Sequence, residues 1–540
     1  MKTIGLDFGT TNSTISYYDT ESKSLENFKF GARQIEYIPT IVSYKGREIS
    51  IGDAAKDNLT SKSFDTYEHF KLRLGKDADT AIENKSKNPK EVARDFIKNL
   101  LELFKKDQKI DKIDHLVMTV PAAWDKEDSN RIAKENIKEI YKELRYGEDE
   151  IQLESEPVAA ATYFCWAYED NRDINPQGKK YKGFITVIDY GGGTLDITLC
   201  EACDNDKIRV LESFGFGEYN ETNGCAGVAF DNAVIEKLIR DNDLQVPKDS
   251  SKFIKFRNRF EEKKILKCDE ITGYLKSYYD DPNIVEGDVL FPLEYEDDKE
   301  IDVCCKDLDQ CFSKVNAPKL KGSLEQIRQY FQAHKIDSSA QENFKVLLVG
   351  GFSNFFAVEK EVRNFFGAKT EYIDKRFEQP FSERNKTLAI SRGAALIAAK
   401  WTYIEHTCTY SYGYITYALG KSDRYEPVYN PIIEKGTDLK ELNKPVFADR
   451  KERVKHKGGK LWIFIDDGRP DNKGRSEPIP LDESVKELFP NVDGNDTDKW
   501  YQIGFSVDKD TIPSIHIRDK HGLEHTTSLN KLIEKIGIGG

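Results

Sequence analysis

No apolar run in this 540-residue sequence approaches the roughly 20 residues needed to span a bilayer, so a membrane partner is not expected. The chain opens directly on a strand-like stretch. With no basic n-region and apolar h-region it shows no secretory signal, and the expected compartment is the cytoplasm. Basic charge is in deficit: 81 Lys and Arg against 94 Asp and Glu leave a net charge of −13. That balance argues against nucleic-acid binding, because a phosphate footprint needs a basic face. No G-x-x-x-x-G-K-[ST] occurs, which excludes a P-loop ATPase. The nine cysteines are odd in number and lack framework spacing, which excludes a disulfide scaffold and fits reduced thiols. Cys200-Glu201-Ala202-Cys203 lacks two further ligands nearby for zinc, and it leaves a strand rather than opening a helix. It is read as structural, as is Cys304-Cys305. Hydrophobic content of 38% with 11% aromatic is that of a soluble globular chain, and the length predicts two to four domains of about 150 residues each.

What is present centres on Ile185–Leu199, ITVIDYGGGTLDITL. Two β-branched apolar runs flank Asp189-Tyr190-Gly191-Gly192-Gly193-Thr194-Leu195-Asp196, the pattern of a tight hairpin whose backbone can approach another group closely. Consecutive N–H groups in such a turn form a concavity for an anion, here a phosphate chain. The carboxylates of Asp189 and Asp196 would repel a bare triphosphate, so a divalent cation is expected between them, and hard oxygen ligands acting through water suit Mg²⁺. Thr3–Tyr17, TIGLDFGTTNSTISY, repeats the plan, with Asp7 in the place of Asp189. A repeated strand–turn–strand unit suggests two similar lobes clamping one ligand. A third turn, Gly350-Gly351, ends the apolar run FKVLLVGGF at Phe344–Phe352, where an α/β fold places a ligand.

Taken in order, these stretches resemble the actin-like ATPases and, within them, the seventy-kilodalton heat-shock chaperone family. The resemblance is carried by LDFGTTNS (Leu6–Ser13), FKLRLG (Phe70–Gly75), VMTVPAAW (Val117–Trp124), ESEPVAAATY (Glu154–Tyr163), IDYGGGTLDIT (Ile188–Thr198), VLLVGGFS (Val346–Ser353) and SRGAALIAA (Ser391–Ala399). It implies a two-lobed α/β actin-like ATPase domain followed by an all-β sandwich domain, with ATP or ADP and Mg²⁺ as ligands. It further implies that Gly9, Thr10, Thr11 and Asn12 meet the phosphates from one side and Gly191, Gly192, Gly193 and Thr194 from the other. Asp7 and Asp189 would orient the water shell of Mg²⁺. Lys71, Glu156, Asp196 and Thr194 would act on the γ-phosphate and the attacking water. Glu261 and Lys264, matched to the family's Glu-x-x-Lys, would face the nucleoside beside Gly350, Gly351 and Asn354. Pro121 and Arg131 match the family's relay from nucleotide to linker. Extended or unfolded polypeptide and a co-chaperone or exchange factor are the implied partners.

The domain reading follows. Residues 1–400 form the ATPase domain, with lobe I at 1–170 and 344–400 and lobe II at 171–343; 401–408 is the linker and 409–540 the β-sandwich. Asn88–Lys106 is a predicted helix, with Val92, Phe96, Leu100, Leu101 and Phe104 at helical spacing. Lys126–Leu144 and Val158–Tyr168 are predicted helices as well. The charged run Lys252–Glu270 reads as a solvated helix face apart from Glu261 and Lys264. In the last part Tyr501, Ile503, Phe505 and Val507 alternate with Gln502, Gly504 and Ser506, the period of a half-buried strand, and the turn Asp508–Pro513 leads into Ile515 and Ile517. One short helix near Ser528–Lys535 follows, with no helical lid expected after it.

The sequence departs from the family at two places. Asn354 stands where the family has an Arg that stacks on adenine, a contact worth roughly 0.5–2 kcal/mol. Val228 and Ala229 replace acidic residues. Weaker ATP binding or relaxed base preference is therefore expected. The linker Trp401–Cys408 keeps only Tyr403 and Ile404 of an apolar run, which bears on coupling. Three functions fit the chain: a slow ATPase chaperone binding extended peptide, a nucleotide-binding regulatory or exchange-factor-like module with little turnover, and a small-molecule kinase of the same superfamily. The C-terminal β-domain argues against the last.

Overall fold

In the computed structural model, two β-hairpins of one design form the heart of the N-terminal unit, Met1–Tyr403. Thr3–Phe8 pairs antiparallel with Asn12–Asp19, setting Asp7 opposite Thr14. Gly183–Tyr190 pairs antiparallel with Leu195–Cys203, setting Asp189 opposite Asp196. The central strands are covered on both faces, which is why they read as continuous apolar runs rather than alternating ones. Residues 2–536 are described, apart from 20–21, 33, 76, 83–84, 126–131, 204–205, 217–223, 249, 282, 284–287, 297–298, 338–342, 368–372, 382–385, 420–422, 450–453, 456–460, 469–474, 482–499 and 519–520. Arg131 and the start of the helix expected from Lys126 lie outside the described residues; the helix is described over Ala133–Glu143.

Each hairpin extends into a sheet in the same way. In the first lobe the strand order is Ser24–Asn27, Asn12–Asp19, Thr3–Phe8, His115–Val120 and Ile151–Ser155. The last two run parallel to Thr3–Phe8. In the second lobe Lys207–Phe216 pairs antiparallel with Leu195–Cys203, and Phe344–Val349 lies parallel to Gly183–Tyr190 on the other side. The repeat visible in the sequence is thus a repeat of lobes.

The helices fit their sheets by local chemistry. Pro89–Asp107 starts at a capping box of Asn88 and Glu91, with Pro at the first turn, and buries Val92, Phe96, Leu100, Leu101 and Phe104 as their spacing predicts. Ala389–Ala398 lies against Thr3–Phe8 and the helix Glu156–Asp170. This approach depends on glycine: a Cβ on Gly393 would sit 1.7 Å from Ala159 O, and one on Gly5 would sit 2.2 Å from Ala395 N. The run at 251–266 is more than a solvated face, because Ser251–Leu266 buries Phe253, Phe256 and Phe260.

One expectation needs correction. Residues 344–400 do not all return to the first lobe. Phe344–Val349 joins the second-lobe sheet, and Phe356–Gly367 buries Val358, Val362 and Phe366 in the same core as Phe344, Val346 and Leu348. Among the described residues of this range, Ala389–Ala398 covers the first-lobe sheet. The cause is the open side of Gly183–Tyr190, whose parallel edge is satisfied by this strand.

The C-terminal unit, Ile404–Gly540, is β-rich. Ser411–Leu419 pairs with Tyr425–Ile433 and Leu461–Asp466, and the latter with Ile479–Leu481. A second sheet joins Val446–Phe447, Trp500–Val507, Pro513–Arg518 and Glu524–Ser528. Tyr412, Tyr414, Ile463 and Ile465 from one sheet share a core with Ile503, Phe505, Ile515 and Ile517 from the other, closed by Leu529 and Leu532 of the helix Leu529–Ile536. Lys460 and Lys520, at the ends of expected strands, lie outside the described residues. Tyr403–Glu405, within the expected linker, is a short strand. Among the described residues no helix is long and apolar enough to cross a membrane.

Candidate functional site

The two glycine turns meet. A Cβ on Gly192 would lie 2.2 Å from Thr11 Oγ1, and one on Gly193 would lie 2.5 Å from Thr10 Oγ1. Gly192 and Gly193 therefore face the Gly9–Asn12 turn across the gap between lobes, with only hydrogen on the facing carbons. The second turn is held from behind: Gly191 N donates to Thr194 O, Gly227 N to Gly191 O, and Val228 N to Gly192 O. The first is held by Thr40 N donating to Thr11 O. Thr10 is buried, Thr11 half-buried and Asn12 exposed. The third turn joins them, since Gly350 has a φ of 82° and a Cβ there would lie 2.4 Å from Asp189 Oδ1. Gly351 is open to solvent.

Behind the turns lies a buried charged cluster. Lys71, on the short 3₁₀ helix Phe70–Arg73, is 2% exposed, and its Nζ lies 2.6 Å from Glu156 Oε1. The rings of Phe8 and Trp124 flank the ammonium at 5.6 and 5.7 Å, within cation–π range. Glu156 occupies the first turn of Glu156–Asp170, whose N-cap Ser155 accepts from Val158 N. Asp196 Oδ1 accepts from Ala123 N at 2.6 Å. Asp7 Oδ1 accepts weakly from Thr119 Oγ1 at 3.4 Å.

Asp7, Asp189, Asp196 and Glu156 thus share one cation, Lys71. Burial raises the Asp7 carboxyl to about 7 and the charge of Glu156 adds to this, while Lys71 and the Thr119 hydroxyl oppose it. Burial first, then Glu156, Asp196 and Asp7, hold Asp189 well above the ordinary range. Burial and Glu156 do the same to Asp196, against the Ala123 N–H, the Thr194 hydroxyl and Lys71. The second oxygens of Asp189 and Asp196 are buried and have no hydrogen-bond partner among the described residues. A buried carboxylate oxygen left bare is costly, so this donor set fits added positive charge. Among the described residues no three His, Cys, Asp or Glu side chains converge on one direct metal site.

The positions expected to face a nucleoside divide. Glu261 lines the cleft with Thr10, Thr11, Asn12, Asp231 and Arg257. Lys264 is engaged, its Nζ donating to Asp231 Oδ1 at 2.5 Å among the rings of Phe230, Phe260 and Phe352. Burial raises the Asp231 carboxyl to about 6, against the pull of Lys264. Phe352 packs edge-on to Tyr190 at 5.0 Å and stacks with Phe355 at 5.6 Å, leaving Asn354 half-buried beside them. Pro121 is buried just after His115–Val120, two residues before the Ala123 N–H that holds Asp196.

Sequence reading missed four contributors. Ala123 acts through its backbone, which side-chain identity does not reveal. Trp124 and Phe8 act as ring walls, and an apolar residue in a short helical turn or at a strand end carries no mark of that use. Asp231 lies 33 positions before Lys264, too far for a local signal. The C-x-x-C pair makes no site: Cys200 is buried and Cys203 half-buried, both free, and burial raises both thiols.

A family model described as Hsp70 protein matches residues 3–89 and 78–401, most of the chain and all of the residues just placed. That family is one of ATP-binding chaperones.

Proposed function

The chain belongs to the Hsp70 family, and on that premise we propose that it is a slow ATPase of chaperone type. ATP is held between the lobes of residues 1–400, its γ-phosphoryl group passes to water, and residues 409–540 bind extended polypeptide under nucleotide control through the 401–408 segment. The observation that carries this reading is the meeting of two glycine turns over a buried Lys71–Glu156 pair and bare aspartate oxygens.

Phosphoryl transfer asks mainly for positioning and charge neutralisation. Backbone N–H groups of Gly192, Gly193 and the Gly9–Asn12 turn cradle the phosphates, with Gly191 closing the turn behind them and the Thr10, Thr11 and Thr194 hydroxyls beside them. Lys71 supplies positive charge at the γ-phosphate. Glu156 and Asp196 accept hydrogen bonds from the attacking water and orient it. Asp7 and Asp189 would hold Mg²⁺ through its water shell, and the ion would supply charge neutralisation on the phosphate oxygens. Glu261 and the Lys264–Asp231 pair bound the nucleoside side, with Gly350, Gly351 and Asn354 opposite.

A second reading, a nucleotide-binding regulatory or exchange-factor-like module with little turnover, is favoured by one feature. The base side has Asn354 where the family has Arg, and its Lys264 is already paired with Asp231. Single-turnover hydrolysis of ATP with Mg²⁺, with and without an extended hydrophobic peptide, separates the two. The chaperone reading expects hydrolysis that speeds up with peptide and falls about 100-fold or more in Asp189→Ala. Tight binding with no hydrolysis in the unmodified chain would replace it with the regulatory reading.

A further inference from the structure

The second sheet of the C-terminal unit has a polar face that the core does not use. Ile503, Phe505, Val507, Ile515 and Ile517 are buried in the core. Strand alternation therefore turns Gly504, Ser506, Ser514, His516 and Arg518 to the other face. The register sets His516 beside Gly504 and Thr526, and Arg518 beside Glu524. On this face Ser506 Oγ lies 2.7 Å from His516 Nε2, and His516 Nδ1 lies 3.0 Å from Glu524 Oε1. Thr526 Oγ1 also reaches Nδ1, at 2.8 Å. His516 is 6% exposed, Ser506 half-buried and Glu524 exposed.

The chemistry of the partners assigns the protons. A carboxylate only accepts, so Nδ1 carries the hydrogen and Nε2 presents its lone pair to the Ser506 hydroxyl. This is the arrangement in which an imidazole, oriented by an acid, takes the proton of a serine nucleophile. Burial lowers the pKa of His516, against Glu524, which keeps the ring a neutral base at pH 7. Beside Ser506 the sheet is walled by an aromatic ring: a Cβ on Gly504 would lie 2.7 Å from Phe447 Cδ1, and Arg518 caps that ring at 3.7 Å.

We propose that Ser506, His516 and Glu524 form a reactive centre in the C-terminal unit, in which Ser506 is acylated by small carboxylic esters with a short apolar acyl group. Ser506 Oγ bonds to the acyl carbon while its proton passes to His516 Nε2. The bond from that carbon to the leaving oxygen breaks, and the oxygen takes the proton from Nε2. Water then adds to the acyl carbon, giving a proton to Nε2; Ser506 Oγ leaves and recovers it, and the carboxylic acid departs. Glu524 is a positioning residue.

The test uses the full chain with a fluorophosphonate probe and, separately, p-nitrophenyl acetate. Peptide mapping is expected to place the probe on Ser506, with a stoichiometric burst of p-nitrophenol, both abolished in Ser506→Ala. His516→Gln should slow labelling about 100-fold or more. Glu524→Gln should slow it less and move its pH midpoint downward, because Glu524 raises the imidazole pKa; lost packing alone would not move the midpoint. Should His516→Gln fail to fold, the exposed Glu524→Gln decides by that midpoint. Absence of labelling at Ser506, or an unmoved midpoint in a folded Glu524→Gln chain, overturns the proposal.

Discussion

At the scale of single residues, the cleft between the glycine turns is built against its own stability. One lysine serves four buried carboxyl groups, and two aspartate oxygens have no partner among the described residues. A raised carboxyl pKa means that the folded chain holds the proton more tightly than the unfolded one. For Asp7 this contribution is complete below the unfolded value near 4 and is lost as pH rises through about 7. The ligand-free chain is therefore expected to weaken between pH 5 and 8. Asp7→Asn removes the ionisation and should gain roughly 2–4 kcal/mol at pH 8 relative to its effect at pH 5, while Mg²⁺-dependent ATP binding weakens about 10-fold or more. Urea unfolding in EDTA at the two pH values, beside a binding titration, checks both halves. A variant no more stable at pH 8 than at pH 5, relative to the parent, would mean that Asp7 is not protonated in the empty cleft.

Among the elements, glycine has two different uses, and they separate by substitution. At Gly393 the added methyl meets the backbone of the neighbouring helix, which cannot turn aside, so Gly393→Ala should cost about 3 kcal/mol or more. At Gly192 the obstacle is the Thr11 hydroxyl, a side chain that can rotate. Gly192→Ala should keep the melting temperature within a few degrees and lose ATP affinity about 10-fold, read by thermal unfolding and titration on the same sample. Both hairpins were legible in the sequence, because β-branched runs around Gly-rich turns leave few other conformations. The membership of Phe344–Val349 was not. An apolar strand followed by a helix reads the same in either lobe, and its partner Gly183–Tyr190 is too distant in sequence to leave a mark. The Ser506–His516–Glu524 line was hidden for a related reason: polar residues at every second strand position read as a solvated face until the register aligns three strands.

Across the whole molecule, the change to β character near residue 409 announced a second unit, and the contacts divide at Tyr403 and Ile404. What the sequence did not announce is how the two lobes of the first unit hold each other. Arg257 Nη2, from the second lobe, donates to both oxygens of Glu68 in the first, at 2.7 and 2.8 Å. Burial alone would raise the Glu68 carboxyl, but the charges of His69 and Arg257 overcome it and hold it at about 2. A second bridge, Lys56 to Glu262 at 3.5 Å, has a side chain 65% exposed at its acidic end. Exposed pairs contribute about 0–1 kcal/mol, whereas a partly buried one that loses its partner leaves an uncompensated charge. Both bridges border the cleft that Thr10, Thr11 and Glu261 line, so opening the lobes must break them. Arg257→Ala is therefore expected to speed nucleotide release about 10-fold, and Lys56→Ala less than about twofold, in stopped-flow chase experiments with a fluorescent ATP analogue. Because Glu68 stays ionised well below neutrality and burial lowers the pKa of the neighbouring His69 imidazole, the Arg257 effect should be the same at pH 7 and 8. Equal effects from the two substitutions, or release that changes with pH only in the parent chain, would show that the Glu68–Arg257 pair does not hold the lobes.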